Sequence, residues 1–190
     1  MNRRQLSTAA VAALALAAGV SWRLRPAAPP ADVTPPPPAG PDGATPAAAV
    51  DPLQALWPLR FERPEGGELA LAEWRGKPVL LNFWATWCPP CVKEMPMLDA
   101  FQRQHAAAGW QVIGLAVDGP TPVREFLGNV PVSFPIGLAG LDGVSLARSL
   151  GNSSGALPFT LVLGRDGQVR HTKLGALTQA ELDGWAQTER

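Results

Sequence analysis

Cysteine, histidine and net charge are all scarce in this 190-residue chain. Its 16 basic and 16 acidic side chains cancel, and a chain with no basic surplus carries no electrostatic footprint for nucleic acid. Two cysteines cannot staple a disulfide-rich scaffold, and together with two histidines they make a poor inventory for a structural zinc site. There is no internal repeat. Proline, by contrast, is plentiful and unevenly spread: ten of the 21 fall between Pro26 and Pro52. The length allows one ordinary domain with a real core, plus a tail. From Val50 onward the chain holds 12 basic and 14 acidic residues, a net of −2, too even for any argument from surface charge.

The first 25 residues read as an address. Met1-Asn2-Arg3-Arg4 is followed by an uncharged stretch from Gln5 to Trp22 with an apolar centre at Ala9 to Val20, the layout of an export signal. As helix, those residues would span roughly 27 Å, close to a thin bilayer, so the segment suits either a cleaved signal or a retained membrane anchor. No clear Ala-x-Ala site follows, and Arg3, Arg4 and the α-amino group outweigh Arg23 and Arg25. That balance favours an anchor with the rest of the chain outside the cytoplasm. Arg3-Arg4-Gln5-Leu6 is also a partial twin-arginine signal. Residues 26–52, rich in Pro and Ala, form a linker, because such a stretch cannot bury enough apolar surface to fold. Residues 53–190 are the folded domain.

Within the domain, Pro58 to Glu62 reads as a short edge strand and Leu69 to Leu71 as its hairpin partner across Gly66-Gly67. Val79 to Trp84 is a nearly continuous apolar run of strand length, interrupted by Asn82, as expected for a buried central strand. Cys88 to His105 has helical spacing, with Met95, Leu98, Phe101 and Gln102 on one face and Gly109 as the stop. Gln111 to Val117 is a second buried strand, which completes a parallel βαβ unit. Thr121 to Leu127, opened by Pro122, and Ser145 to Leu150 are short helices. Phe159 to Leu163 and Gln168 to Lys173 flank the turn Arg165-Asp166-Gly167, and Thr178 with Glu181 makes a capping box for a final helix. The class is α/β: a parallel half, an antiparallel hairpin half and an N-terminal strand extension.

Both cysteines lie in Trp87-Cys88-Pro89-Pro90-Cys91. Haem attachment needs a histidine after the second cysteine, where Val92 stands, and zinc would need the distant His105 and His171. Placement between a buried strand and a helix favours a redox dithiol. Cys88 at the helix N-terminus gains thiolate character from the dipole and the free amides, whereas Cys91, one turn in, is more buried. Cys88 then attacks a partner's disulfide and Cys91 resolves the mixed disulfide. Neither Pro89 nor Pro90 has an N–H, so only the Cys91 amide remains near the thiolate. A less stabilised thiolate makes a less oxidising couple, hence a reductant. Trp87 is expected to stay exposed as an apolar contact for partners, and Trp84, Trp57, Trp74, Trp110 and Trp185 to pack. His105 is expected at the surface end of its helix.

Phe83-Trp84-Ala85-Thr86-Trp87-Cys88-Pro89-Pro90-Cys91 resembles the active-site segment of thioredoxins, and most of all that of the membrane-anchored TlpA/ResA-like thiol–disulfide oxidoreductases. Pro96 matches the proline that kinks the active-site helix, Gly155 to Thr160 looks like the loop carrying the family's cis-proline, and Leu161 to Gly167 is similar to the following hairpin. The resemblance covers Leu59 to Gln187. It implies a thioredoxin-like fold, a central mixed β-sheet flanked by helices, with a cis Pro158 and a substrate strand pairing at Leu157. It also implies that Glu94 takes the proton-shuttling role, because Asn82 stands where cytoplasmic thioredoxins carry a buried aspartate and an amide cannot shuttle a proton. The substrate-contacting residues are then Trp87, Pro89, Leu157 and Pro158.

The partners so implied are disulfide-bearing exported proteins, either apocytochrome c, oxidase-assembly proteins or broader targets. A membrane thiol reductase supplies electrons, and the protein is a monomer held to the inner membrane on the periplasmic side. No metal and no cofactor beyond the dithiol is expected. Two alternatives remain open: a copper metallochaperone using Cys88, Cys91 and His171, and a peroxidase of the same fold, whose Thr-x-x-Cys setting Thr86-Trp87-Cys88 matches poorly.

Overall fold

A computed structural model describes residues 51–188. The expected export segment and all but the end of the linker lie outside the described residues. Pro52, assigned by composition to the linker, instead opens helix α1 (Pro52–Leu56), with the Asp51 carboxylate accepting from the Leu53 amide as its N-cap.

Seven strands form one mixed sheet. They are β1 (Arg60–Glu62), β2 (Glu68–Ala70), β3 (Val79–Trp84), β4 (Gln111–Ala116), β5 (Ile136–Leu138), β6 (Phe159–Leu163) and β7 (Val169–Leu174), in the order β2-β1-β5-β4-β3-β6-β7. The central three, β3, β4 and β5, run parallel, and β6 pairs antiparallel with both β3 and β7. Helices α2 (Pro89–His105), α3 (Pro120–Asn129), α4 (Asp142–Ser149) and α5 (Gln179–Thr188) complete the fold. Among the described residues no helix is long and apolar enough to cross a membrane.

The two-residue period of β3 divides the core. Leu80 and Trp84 face one layer with Met95, Leu98 and Phe101 of α2 and Leu182 and Trp185 of α5. Val79, Leu81 and Phe83 face the opposite layer with Leu56, Trp57, Leu69 and Ala147. All six β3 positions are buried, as a strand covered on both faces must be. Each fully buried large apolar side chain contributes about 1.5–3 kcal/mol relative to exposure, so β3 and its neighbours form a rigid base for the turn and helix that leave the end of β3.

Several expectations are corrected. β1 is not an edge strand: β5 pairs with it through Glu62 and Leu138, and β2 takes the edge. Strand β5 has no counterpart in the sequence reading, since three residues are too few to show an alternation. His105 is half-buried rather than a surface residue, with its ring 4.6 Å from that of Phe101. Helix α3 begins at Pro120 rather than at Thr121, and α4 starts three residues before Ser145. Elsewhere the agreement is close. Gly109 ends the α2 region at φ 92°, a left-handed conformation open to glycine without steric cost. The Thr178 amide and hydroxyl both donate to Glu181 Oε2, and the Glu181 amide donates back to the Thr178 hydroxyl.

Candidate active site

The C-terminal end of β3 delivers the chain into a tight turn, Ala85 to Cys88, closed by a hydrogen bond from the Cys88 amide to the Ala85 carbonyl at 3.3 Å. Cys88 is extended (φ −100°, ψ 101°) and caps α2, with the two prolines following at once. Proline suits the first helical positions, where its missing N–H has no intrahelical partner to lose. The consequence for the sulfur is a loss of donors. Cys88 Sγ accepts one hydrogen bond, from the Cys91 amide at 3.4 Å. The two sulfurs are joined in a disulfide. Cys88 is 5% exposed and Cys91 wholly buried, while the neighbouring Trp87 is 66% exposed.

The antiparallel pairing of β6 with β3 sets Phe159 opposite Phe83. The residue preceding Phe159 therefore lies at the end of the sheet where the dithiol sits. That residue is Pro158, and the Leu157–Pro158 peptide is cis. The Pro158 carbonyl accepts from the Gly175 amide at 2.9 Å, which ties this loop to the end of β7. Asn152 organises the approach, donating to the Ala156 carbonyl and accepting from the Gly155 amide. Leu157 is half-buried and packs against both core layers.

Glu94 follows Cys91 by one helical turn and is 3% exposed. Asn82 Nδ2 donates to Glu94 Oε1 at 2.8 Å and the Leu177 amide donates to Oε2 at 3.0 Å. Burial pushes the Glu94 carboxyl above the usual glutamate range, and the two hydrogen bonds only partly counter it. A cavity of about 470 Å³ opens beside it, lined by Pro89, Pro90, Lys93, Glu94, Met97, Ala176 and Leu177. The cavity wall is largely apolar and offers little solvation to the charged form of Glu94, in the same direction as the burial.

The fold thus brings Cys88, Cys91, Trp87, Pro89, Leu157 and Pro158 to one end of the sheet, with Glu94 one helical turn beyond Cys91. His171 lies on β7 with its ring stacked on Trp185 at 5.4 Å, and among the described residues no group of three His, Cys, Asp or Glu could hold a metal ion. Sequence reasoning passed over two contributions. Asn82, discounted there as a proton carrier, bridges Glu94 and Thr160, donating to the Thr160 hydroxyl at 3.0 Å. Asp118, two residues beyond the end of β4, grips Thr86. A buried amide in an apolar strand was a signal for the first; nothing local signalled the second.

The redoxin family description matches residues 46–185 of the chain. The thiol–disulfide oxidoreductase ResA of Bacillus cereus is 32% identical over 124 residues, which is 65% of this chain and 69% of that one. Among solved structures, MTB DsbF in mixed oxidised and reduced forms superposes with a TM-score of 0.61 at 25% identity, covering 70% of this chain and 96% of DsbF. A thiol:disulfide interchange protein of the thioredoxin family from Chlorobium tepidum superposes with a TM-score of 0.62 at 23% identity, covering 69% and 92%.

Proposed function

Since the chain belongs to the redoxin family, and within it to the thioredoxin-like ResA thiol–disulfide oxidoreductases, we propose that it works as a reductant of disulfides in exported proteins. The observation that carries the direction of flow is the single hydrogen bond to Cys88 Sγ, from the Cys91 amide, with Pro89 and Pro90 in place of two further donors. A thiolate with fewer donors is a poorer leaving group and a stronger nucleophile, so the dithiol gives up its electrons more readily.

In the proposed cycle the Cys88 thiolate attacks one sulfur of a partner's disulfide. The partner's S–S bond breaks and its other sulfur leaves as thiolate, protonated from solvent. Cys91 passes its proton to ionised Glu94 and attacks Cys88 Sγ. As the Cys88–Cys91 disulfide forms, the Cys88–partner bond breaks, the partner's second sulfur leaves as thiolate and takes the proton held by Glu94, and the partner departs with two electrons and two protons gained. A thiol reductase of the membrane then returns the dithiol to its reduced form. Trp87 and Pro89, both exposed, with Leu157 and cis Pro158 opposite, offer an apolar seat on which an extended partner strand pairs with the Leu157 backbone. In the family this chain resembles, the cytochrome-specific branch often carries an acidic residue after the cis-proline; Phe159 stands there instead, which favours broad partners. The site of action is the bacterial periplasm, with residues 1–25 holding a monomer to the inner membrane.

Replacing Cys91 with Ala should strand the mixed disulfide on Cys88, and isolating the products from the exported fraction identifies the partners. Recovery of no exported partner overturns the reading. So does a measured potential near the roughly −120 mV of strong periplasmic oxidants.

A further inference from the structure

The turn that carries Cys88 is held from outside itself. Thr86 donates twice to the same carboxylate oxygen, Asp118 Oδ2: its amide at 3.1 Å and its hydroxyl at 2.5 Å. The other oxygen, Oδ1, accepts from the Gly119 amide at 2.8 Å, and Gly119 is the N-cap of α3. The Val117 amide donates to the Trp84 carbonyl at 2.8 Å immediately before this clamp. The carboxylate therefore ties the start of the active-site turn to the β4–α3 junction, 32 residues away.

Such a tie matters here because the near side of the turn, between Trp84 and Cys88, has few other holds, whereas the far side is held by the Val92 amide donating to the Cys88 carbonyl at 3.1 Å. Trp87 projects into solvent, and Pro89 and Pro90 supply no N–H of their own beside Cys88. Within the turn itself, the Cys88 amide reaches only the Ala85 carbonyl. A sulfur that depends on one hydrogen bond, from the Cys91 amide, is sensitive to small displacements of its own backbone, because that bond weakens steeply with misalignment. We propose that Asp118 is a positioning residue for Cys88: by gripping both donors of Thr86 it sets the turn so that Cys88 Sγ meets the Cys91 amide, and so sustains the reactivity of the attacking thiol.

The inference rests on Cys88 being the attacking thiol. The charge of Asp118 and its grip act in opposite senses. Removing a nearby negative charge on its own favours the Cys88 thiolate and lowers the thiol pKa. Losing the grip removes the Cys91 N–H bond from the thiolate and raises the pKa; below that pKa the smaller thiolate fraction outweighs the gain in nucleophilicity, and attack slows. The sign of the change therefore separates the two.

The test uses the full chain carrying Cys91→Ala, with the Cys88 pKa read from thiolate absorbance and the first step timed with a small aromatic disulfide. Asp118→Ala should raise the Cys88 pKa and slow attack on the order of tenfold to a hundredfold, the scale of a reacting atom displaced by about 1 Å. Asp118→Asn keeps an acceptor oxygen for Thr86 and should restore most of the rate. Thr86→Val, which keeps the amide donor and loses the hydroxyl, should fall between, and with Asp118→Ala it should add little further loss. An unchanged pKa and rate in Asp118→Ala, an Asn variant as impaired as the Ala variant, or full additivity with Thr86→Val each overturns the proposal. If Asp118→Ala fails to fold, Thr86→Val alone decides through the same two readouts. If Cys88→Ala keeps the reactivity and Cys91→Ala loses it, the assignment of the attacking thiol fails instead; the positioning role is then judged on the dithiol's potential in Thr86→Val, where an unchanged value overturns it.

Discussion

Helix α2 buries two carboxylates less than a turn and a half apart, Glu94 beside the dithiol and Asp99 farther along, and the surroundings treat them in opposite ways. Glu94 accepts from two neutral donors, an amide side chain and a backbone N–H, and its burial keeps its carboxyl above the usual range. Asp99 is buried too, and that burial pushes upward. Against it stand the Ser133 hydroxyl and amide, both at 2.6 Å, and the Arg103 guanidinium at 2.6 Å, which together hold Asp99 below the ordinary aspartate range. Burial alone therefore does not decide what a carboxylate does. The number and charge of its donors do, and one helix carries a raised carboxyl and a lowered one side by side.

The comparison can be broken first at Glu94. Glu94→Gln should keep the Asn82 contact and lose the titration. Thiol exchange should slow on the order of a hundredfold at neutral pH, and the Glu94 limb should vanish from the rate–pH profile; unchanged rates across pH would remove the proton-shuttling assignment. Asp99→Asn should leave that profile alone and instead cost about 1–3 kcal/mol of stability, because it weakens a buried anchor that ties α2 to the segment before β5. Denaturant unfolding measures it, and an activity loss without a stability loss would reverse the two roles.

The pH dependence of stability should also differ in sign. Asp99 binds its proton less tightly folded than unfolded, so its contribution is present above the ordinary aspartate range and is lost as pH falls through the depressed value. Glu94 binds its proton more tightly folded, so it contributes no penalty in acid and a growing penalty as pH rises from the ordinary glutamate range through its raised value. Glu94→Gln should therefore gain on the natural protein as pH rises, and Asp99→Asn should close its deficit as pH falls. The smallest effect is expected at the helix start. Pro90→Ala returns one N–H to the first turn and should raise the potential of the dithiol by about 30 mV, a tenfold change in equilibrium constant for two electrons. An unmoved potential would detach the prolines from the direction of electron flow.

Much of this organisation was legible in the residues. The β3 run, the α2 period with Met95, Leu98 and Phe101, and the Thr178–Glu181 box each rest on neighbours within a turn or a strand. β5 and the place of β1 were not legible, because a three-residue strand acquires its identity from the strands it joins. The same holds for α1, whose five residues are held by an aspartate cap and by Leu56 and Trp57 packing in the core. At the site, both cysteines and the missing N–H groups were plain, since a C-x-x-C between strand and helix is a local fact. Asn82 and Asp118 were not, because their partners Glu94, Thr160 and Thr86 lie 12, 78 and 32 residues distant.

By itself the sequence determined the reactive chemistry: two cysteines one helical turn apart, two prolines that withhold amide donors, and a strand apolar enough to be buried on both faces. These depend on covalent structure and on periods of two and 3.6 residues. The tertiary structure alone decided which of two buried carboxyls binds its proton more tightly and which less, what braces the Cys88 turn, and that cis Pro158 stands at the dithiol's end of the sheet. Those outcomes turn on desolvation and on donors brought from other strands, and both exist only once the chain has folded.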